Sequence, residues 1–134
     1  MKNLILLFSL ILSFSTCSQN EEEKINDNSI FGTWKLIEKV GSGADGLPTW
    51  QNVHKEKSYT YIFMEDGVVF NSQFNCNGTF ELLSSNTLRV KFDCDNGKIN
   101  GIFDFKFENQ YLILNPNPNT CLEGCAEKFI KIKE

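Results

Sequence analysis

Five cysteines carry most of the chemistry open to this sequence: Cys17, Cys76, Cys94, Cys121 and Cys125. A thiol can be acylated, oxidised in a pair or used as a metal ligand, and its surroundings decide which. Cys17 ends a distinctive order of residues. Met1-Lys2-Asn3 is a positive start, residues 4–12 are apolar apart from Ser9, and Ser13-Phe14-Ser15-Thr16 is a mostly small, polar close. That order is an export signal, and the apolar run falls short of the about 20 residues a permanent spanning helix needs. Removing residues 1–16 makes Cys17 the first mature residue, and with the Cys17 thiol acylated four cysteines are left to pair. An even remainder in an oxidising compartment implies two disulfides. A turn at Ser85-Asn86 sets Cys76 opposite Cys94, within reach of the Cα spacing of ~5.5–6 Å that a disulfide prefers. Cys121 and Cys125 then pair locally across Leu122-Glu123-Gly124. Crossed pairings stay open, because four cysteines allow three connectivities. The rival is a four-thiolate zinc site, which the lack of any Cys-x-x-Cys pair and the oxidising compartment argue against, so no metal is expected.

Other reactive residues do not gather into a catalytic pattern. His54 is the single histidine and sits among Gln51, Asn52, Lys55 and Glu56, as a solvated loop residue would. Catalysis by such a group needs an activated nucleophile and an orienting acid, and nothing marks either. Asp93-Cys94-Asp95-Asn96-Gly97 has the ring of a calcium loop, but its Gly comes at the fifth position and no Glu closes it, so it reads as a turn. No catalytic residue, no cofactor and no enzymatic activity are expected. Lys2 leaves with the leader, so the mature chain has 12 basic and 17 acidic residues, a net charge of −5. That excess is unsuited to nucleic acid and supplies no basic patch for an anionic membrane surface.

The elements that must hold these residues are strands. Leu88, Val90 and Phe92 alternate with Thr87, Arg89, Lys91 and Asp93, and Phe103, Phe105 and Phe107 alternate with Asp104 and Lys106. Such stretches are half-buried strands with one wet face. Further strands are expected over 33–40, 59–64, 68–74, 79–83, 111–114 and 128–133, and no stretch makes an amphipathic helix. Glu65-Asp66-Gly67, Ser84-Ser85-Asn86, Asp95-Asn96-Gly97-Lys98 and Glu108-Asn109-Gln110 supply short turns. Turns this short force antiparallel neighbours. The expected fold is therefore all-β, a meander of about eight strands closed into an up-and-down barrel that hides its edges. Residues 41–57 form the one long connection. Residues 17–29 have a single aliphatic side chain and no aromatic one, so they are expected to be a flexible tether between the leader and a domain over 30–134.

Three resemblances sharpen this. The cysteine at the cleavage point resembles a bacterial lipobox, which implies a diacylglyceryl anchor on Cys17, membrane attachment through that lipid alone, and residence at the bacterial outer membrane. Gln19-Asn20-Glu21-Glu22-Glu23 resembles the acidic export tags of Bacteroidetes surface lipoproteins, which implies exposure at the cell surface. In the folded part, Phe31-Gly32-Thr33-Trp34 resembles the Gly-x-Trp start of lipocalins and lipocalin-like bacterial lipoproteins. The resemblance implies that Gly32 lets the chain enter the closed end of the barrel and that Trp34 plugs it. The chain lacks the long C-terminal helix of full-length lipocalins.

The lipocalin resemblance also implies a ligand. The first connecting loop would cover the open mouth, with Leu47 and Trp50 touching a small hydrophobic molecule beside inward Phe63 and Phe105. Trp50 packing onto the barrel rim is the competing arrangement. A barrel of about eight strands either fills with side chains or holds one small ligand, and 12 Phe in so short a chain favour a nearly filled interior. The second expectation is thus a solid scaffold whose loops bind or inhibit another envelope protein. A monomer is expected in either case.

Overall fold

Alternation of apolar and polar residues from Ile30 onward builds nine antiparallel strands, of which eight close into a barrel. The computed structural model describes residues 28–118 and 125–132. The leader, Cys17, most of the tether and Cys121 lie outside the described residues. The strands are β1 (Gly32–Ser42), β2 (Pro48–Asn52), β3 (Thr60–Phe63), β4 (Val68–Asn71), β5 (Cys76–Ser84), β6 (Thr87–Cys94), β7 (Gly97–Glu108), β8 (Tyr111–Asn117) and β9 (Glu127–Ile132). Neighbours pair in chain order from β3 to β9, and β9 returns to β1, so the sheet closes. β1 is shared: its first half pairs with β3 (Trp34 opposite Tyr61) and its second half with β2 (Val40 opposite Trp50). β2 is therefore an added strand inside the connection expected to be a loop, and a single short 3-10 turn, Lys55–Lys57, follows it.

Register sets which side chains point inward. Val90 opposes Gly101, Phe92 opposes Ile99, Phe105 opposes Leu114 and Leu112 opposes Phe129. The inward set makes an aromatic column. Tyr61 touches the rings of Tyr59, Phe63, Phe92 and Phe129 at centroid distances of 5.4–6.2 Å. Two inward glycines make room for it. A Cβ on Gly78 would lie 2.3 Å from the Lys91 carbonyl oxygen and 2.6 Å from the Phe92 ring, and one on Gly97 would lie 2.2 Å from the Phe74 ring. The barrel thus holds its phenylalanines by omitting side chains opposite them.

The ends differ. At one end lie Ile30, Trp34, Phe107 and Lys131. Trp34 is 1 % exposed, its Nε1 donates to the Ile30 carbonyl oxygen at 2.7 Å, and its ring meets Phe107 at 5.9 Å. Gly32 has φ +111°, and a Cβ there would strike the Lys131 stem at 2.9 Å, the same stem that carries Nζ to 5.3 Å from the Trp34 ring. The Gly-x-Trp pair has a local cause: glycine admits the lysine that lies over the tryptophan.

The other end carries the cystines. Cys76 and Cys94 are disulfide-bonded, with a Cα–Cα distance of 6.4 Å, across the β5–β6 ladder in the register expected from the Ser85-Asn86 turn. Cys125 is also disulfide-bonded. The bridge closes a loop with a sequence separation of 18, so loop entropy assigns it about 3 kcal/mol. Cys76→Ala/Cys94→Ala should lower unfolding free energy by about that amount in a guanidinium titration at fixed m-value; a difference too small to measure would mean the paired strands already impose the constraint.

Candidate functional site

The open end is shaped by one irregularity. β1 and β9 pair with Leu36 opposite Phe129, then Glu38 opposite Lys128, leaving Ile37 as an extra residue in β1. A bulge of this kind reverses the facing of everything beyond it. Without it Lys39 would point to solvent. With it, Lys39 opposes Glu127, and both face the barrel mouth. Lys39 Nζ lies 2.7 Å from Glu127 Oε1, and the Tyr59 hydroxyl donates to Glu127 Oε2 at 2.5 Å. The two carboxylate oxygens are therefore fixed from different parts of the chain, Lys39 on β1 and Tyr59 just ahead of β3.

Behind this pair the tyrosines are buried. Tyr61 lies against Asn71, which is 1 % exposed and whose Oδ1 accepts from the backbone N–H of Gln73 at 2.7 Å and of Phe74 at 3.3 Å. Burial, with the nearby Glu127 charge, pushes the Tyr61 phenol up to about 12. Tyr59 is also raised well above the ordinary phenol value, by burial first and then by Tyr61 and Glu127. Both are neutral hydroxyls across the ordinary pH range.

Two adjoining cavities open here. The inner one, about 290 Å³, lies inside the barrel, with Ile99, Phe103, Leu114 and Pro116 as its apolar wall and Tyr59, Tyr61 and Glu127 as its polar one. The outer one, a groove of about 750 Å³, runs under the connection between β2 and β3 and is lined almost wholly by polar side chains, among them Gln51, His54, Lys57 and Ser72. Lys39, Tyr59 and Gln73 border both cavities. The chemistry of the mouth is thus an apolar recess with a charged, hydrogen-bonding rim. Among the described residues, no three His, Cys, Asp or Glu side chains gather as a metal site.

Compared with known proteins, the chain matches no protein-family model and no curated sequence.

The residues singled out as ligand contacts lie elsewhere. Leu47 is 61 % exposed at the β1–β2 hairpin. Trp50 is half-exposed and lies on the outer wall, with Lys128 Nζ 4.2 Å from its ring and Lys128 itself ion-paired to Glu38. Those two charges point outward, out of phase with Leu36 and Phe129. Phe63 and Phe105 are buried in the core cluster. None of the four borders either cavity. His54 does, as an exposed rim residue. Asp95-Asn96 is the two-residue tip of the β6–β7 hairpin, with Asp93 paired to Lys98 at 2.8 Å.

The site residues that sequence reasoning missed are Lys39, Tyr59, Tyr61, Gln73 and Glu127. Part of the signal was present. Tyr59, Tyr61 and Phe63 alternate, as do Glu127 and Phe129, so a polar group at an apolar phase marks an inward-facing charge or hydroxyl. Lys39 gave no such sign, because only the bulge turns it inward.

Proposed function

We propose that this protein is a non-enzymatic, lipid-anchored envelope lipoprotein with a lipocalin-like barrel that binds a small, largely apolar molecule at its mouth. The observation that carries the reading is the inner cavity of about 290 Å³, open to the groove and bordered by Ile99, Phe103 and Leu114. That volume sits at the lower bound for a small-molecule site, about 300 Å³. Its buried hydroxyls and single carboxylate would orient a ligand rather than transform it, since none is paired with a nucleophile. The anchor on Cys17 and residence at the outer membrane enter as proposals from the leader.

Native mass spectrometry of the full-length protein, extracted gently from an expressing bacterium, tests the binding claim. A non-covalent added mass that moves into organic solvent is the expected result. A bare mass, reproduced across extraction conditions, would favour the second reading, a filled scaffold that works through its surface. That reading has its own observation: all five residues of β2 are exposed and Leu47 projects beside them. Membrane fractionation tests the anchor. Cys17→Ala should move the protein to the soluble fraction, and retention in the membrane would refute lipidation at that residue.

A further inference from the structure

The inner cavity already has an ammonium group at its rim, that of Lys39. Its Nζ is paired to Glu127 at 2.7 Å and stands 5.4 Å from the centroid of the Tyr59 ring. A carboxylate beside an aromatic face is how proteins hold organic cations. We propose that the mouth binds a small amphipathic molecule bearing a primary ammonium group, and that Lys39 occupies the position of that group until the ligand displaces it. The inference rests on the reading of the mouth as a ligand site and supplies the class of ligand.

The two members of the ion pair are not equivalent. The Glu127 side chain is 22 % exposed and Lys39 is 46 % exposed. Glu127 is short and is also held by the Tyr59 hydroxyl. Lys39 ends a flexible four-carbon stem and borders the outer groove as well as the inner cavity, so it has polar surroundings to move into. A half-exposed ion pair is weak and readily exchanged. Glu127, once Lys39 leaves, is a largely buried carboxylate that requires another cation. Its oxygens accept one bond each from Lys39 and Tyr59, fewer than a carboxylate can accept, so an incoming ammonium finds open lone pairs.

An anionic ligand fits less well. Pairing with Lys39 would bring its charge beside Glu127, and like charges repel strongly in a recess of low dielectric. The apolar remainder of the ligand has one direction to run, along Ile99, Phe103 and Leu114.

Titration calorimetry of the full-length protein with n-hexylammonium, hexanoate and 1-hexanol varies the head group at constant chain length. n-Hexylammonium should bind tightest, by about tenfold or more over hexanoate. Glu127→Gln should weaken it by about tenfold or more, as loss of a largely buried charge partner does. Lys39→Met should tighten it by about threefold, because the internal competitor is gone. The last sign discriminates: an anion site built on Lys39 loses affinity in that variant. Preference for hexanoate or hexanol, or weaker binding by Lys39→Met, would overturn the ammonium assignment while leaving the mouth a ligand site. Absence of binding by all three probes would overturn both. Near-ultraviolet circular dichroism of each variant confirms that it is folded, and the Lys39→Met result stands even where Glu127→Gln is unstable.

Discussion

Trp34→Ala should cost about 3–5 kcal/mol of unfolding free energy, the range for emptying a large aromatic site in a core. Trp34 is 1 % exposed and joins three parts of the closed end: the Ile30 carbonyl, the Phe107 ring and the Lys131 side chain. Truncation opens a void at the position where the barrel is sealed, and strands on both sides hold it open, so little relaxation can offset it. A domain of this size has about 5–15 kcal/mol in total. The variant should therefore show a much lower guanidinium midpoint. Trp34→Phe separates the causes. It keeps most of the ring and loses the Nε1 hydrogen bond, leaving the Ile30 carbonyl without that donor, at about 1–3 kcal/mol. Equal losses in the two variants would show that the hydrogen bond, not the filling of the barrel end, does the sealing.

The closed end was legible in the sequence because everything there follows the alternation. Gly32 and Trp34 lie in phase with Leu36, and the strand that carries them begins within a residue of the expected place. The Cys76–Cys94 bridge was legible for a related reason: a tight turn fixes which residues face each other on either side of it. What escaped was set by irregular backbone or by pairing alone. β2 has five exposed residues, so it has no buried face to print an apolar alternation; its existence depends on hydrogen bonds to β1. The early part of β7 was hidden by Gly97 and Gly101, whose inward positions carry no side chain and which serve instead as space for the rings of Phe74 and Phe103. The mouth was the least legible part. Reading Leu47 and Trp50 as contacts rested on the lipocalin resemblance, in which the first connecting loop covers the mouth. Trp50 instead covers the stem and ammonium of Lys128, an outward group. The polar residues that border the cavities come from strands and from the connections between them, and one of them, Lys39, is turned there by a single extra residue that leaves no compositional trace.

The same buried tyrosines should make the protein sharply sensitive to alkali. An unfolded tyrosine loses its proton near pH 10, whereas Tyr61 in the barrel is held up to about 12 and Tyr59 is also raised, both mainly by burial. The folded state therefore binds more protons than the unfolded one above pH 10, and stability falls as pH rises. The contribution is fully present below pH 10; Tyr61 loses its share between 10 and about 12, and Tyr59 goes on losing its share above that. Each tyrosine can add up to about 1.4 kcal/mol per pH unit there, so the pair can reach about 2.7 kcal/mol per unit. Two such units approach the lower end of total domain stability, about 5 kcal/mol. Guanidinium titrations at pH 8, 10, 11 and 12 should show this steepening, and absorbance at 295 nm of a Tyr111→Phe background should report the phenolates of Tyr59 and Tyr61 appearing together with unfolding rather than before it. The double variant Tyr59→Phe/Tyr61→Phe is the decisive control. Its stability should vary much less between pH 10 and 12; an unchanged slope would place the alkaline sensitivity outside the mouth. Glu127→Gln predicts an intermediate result, because it removes the negative charge that adds to burial at both phenols but leaves the burial itself.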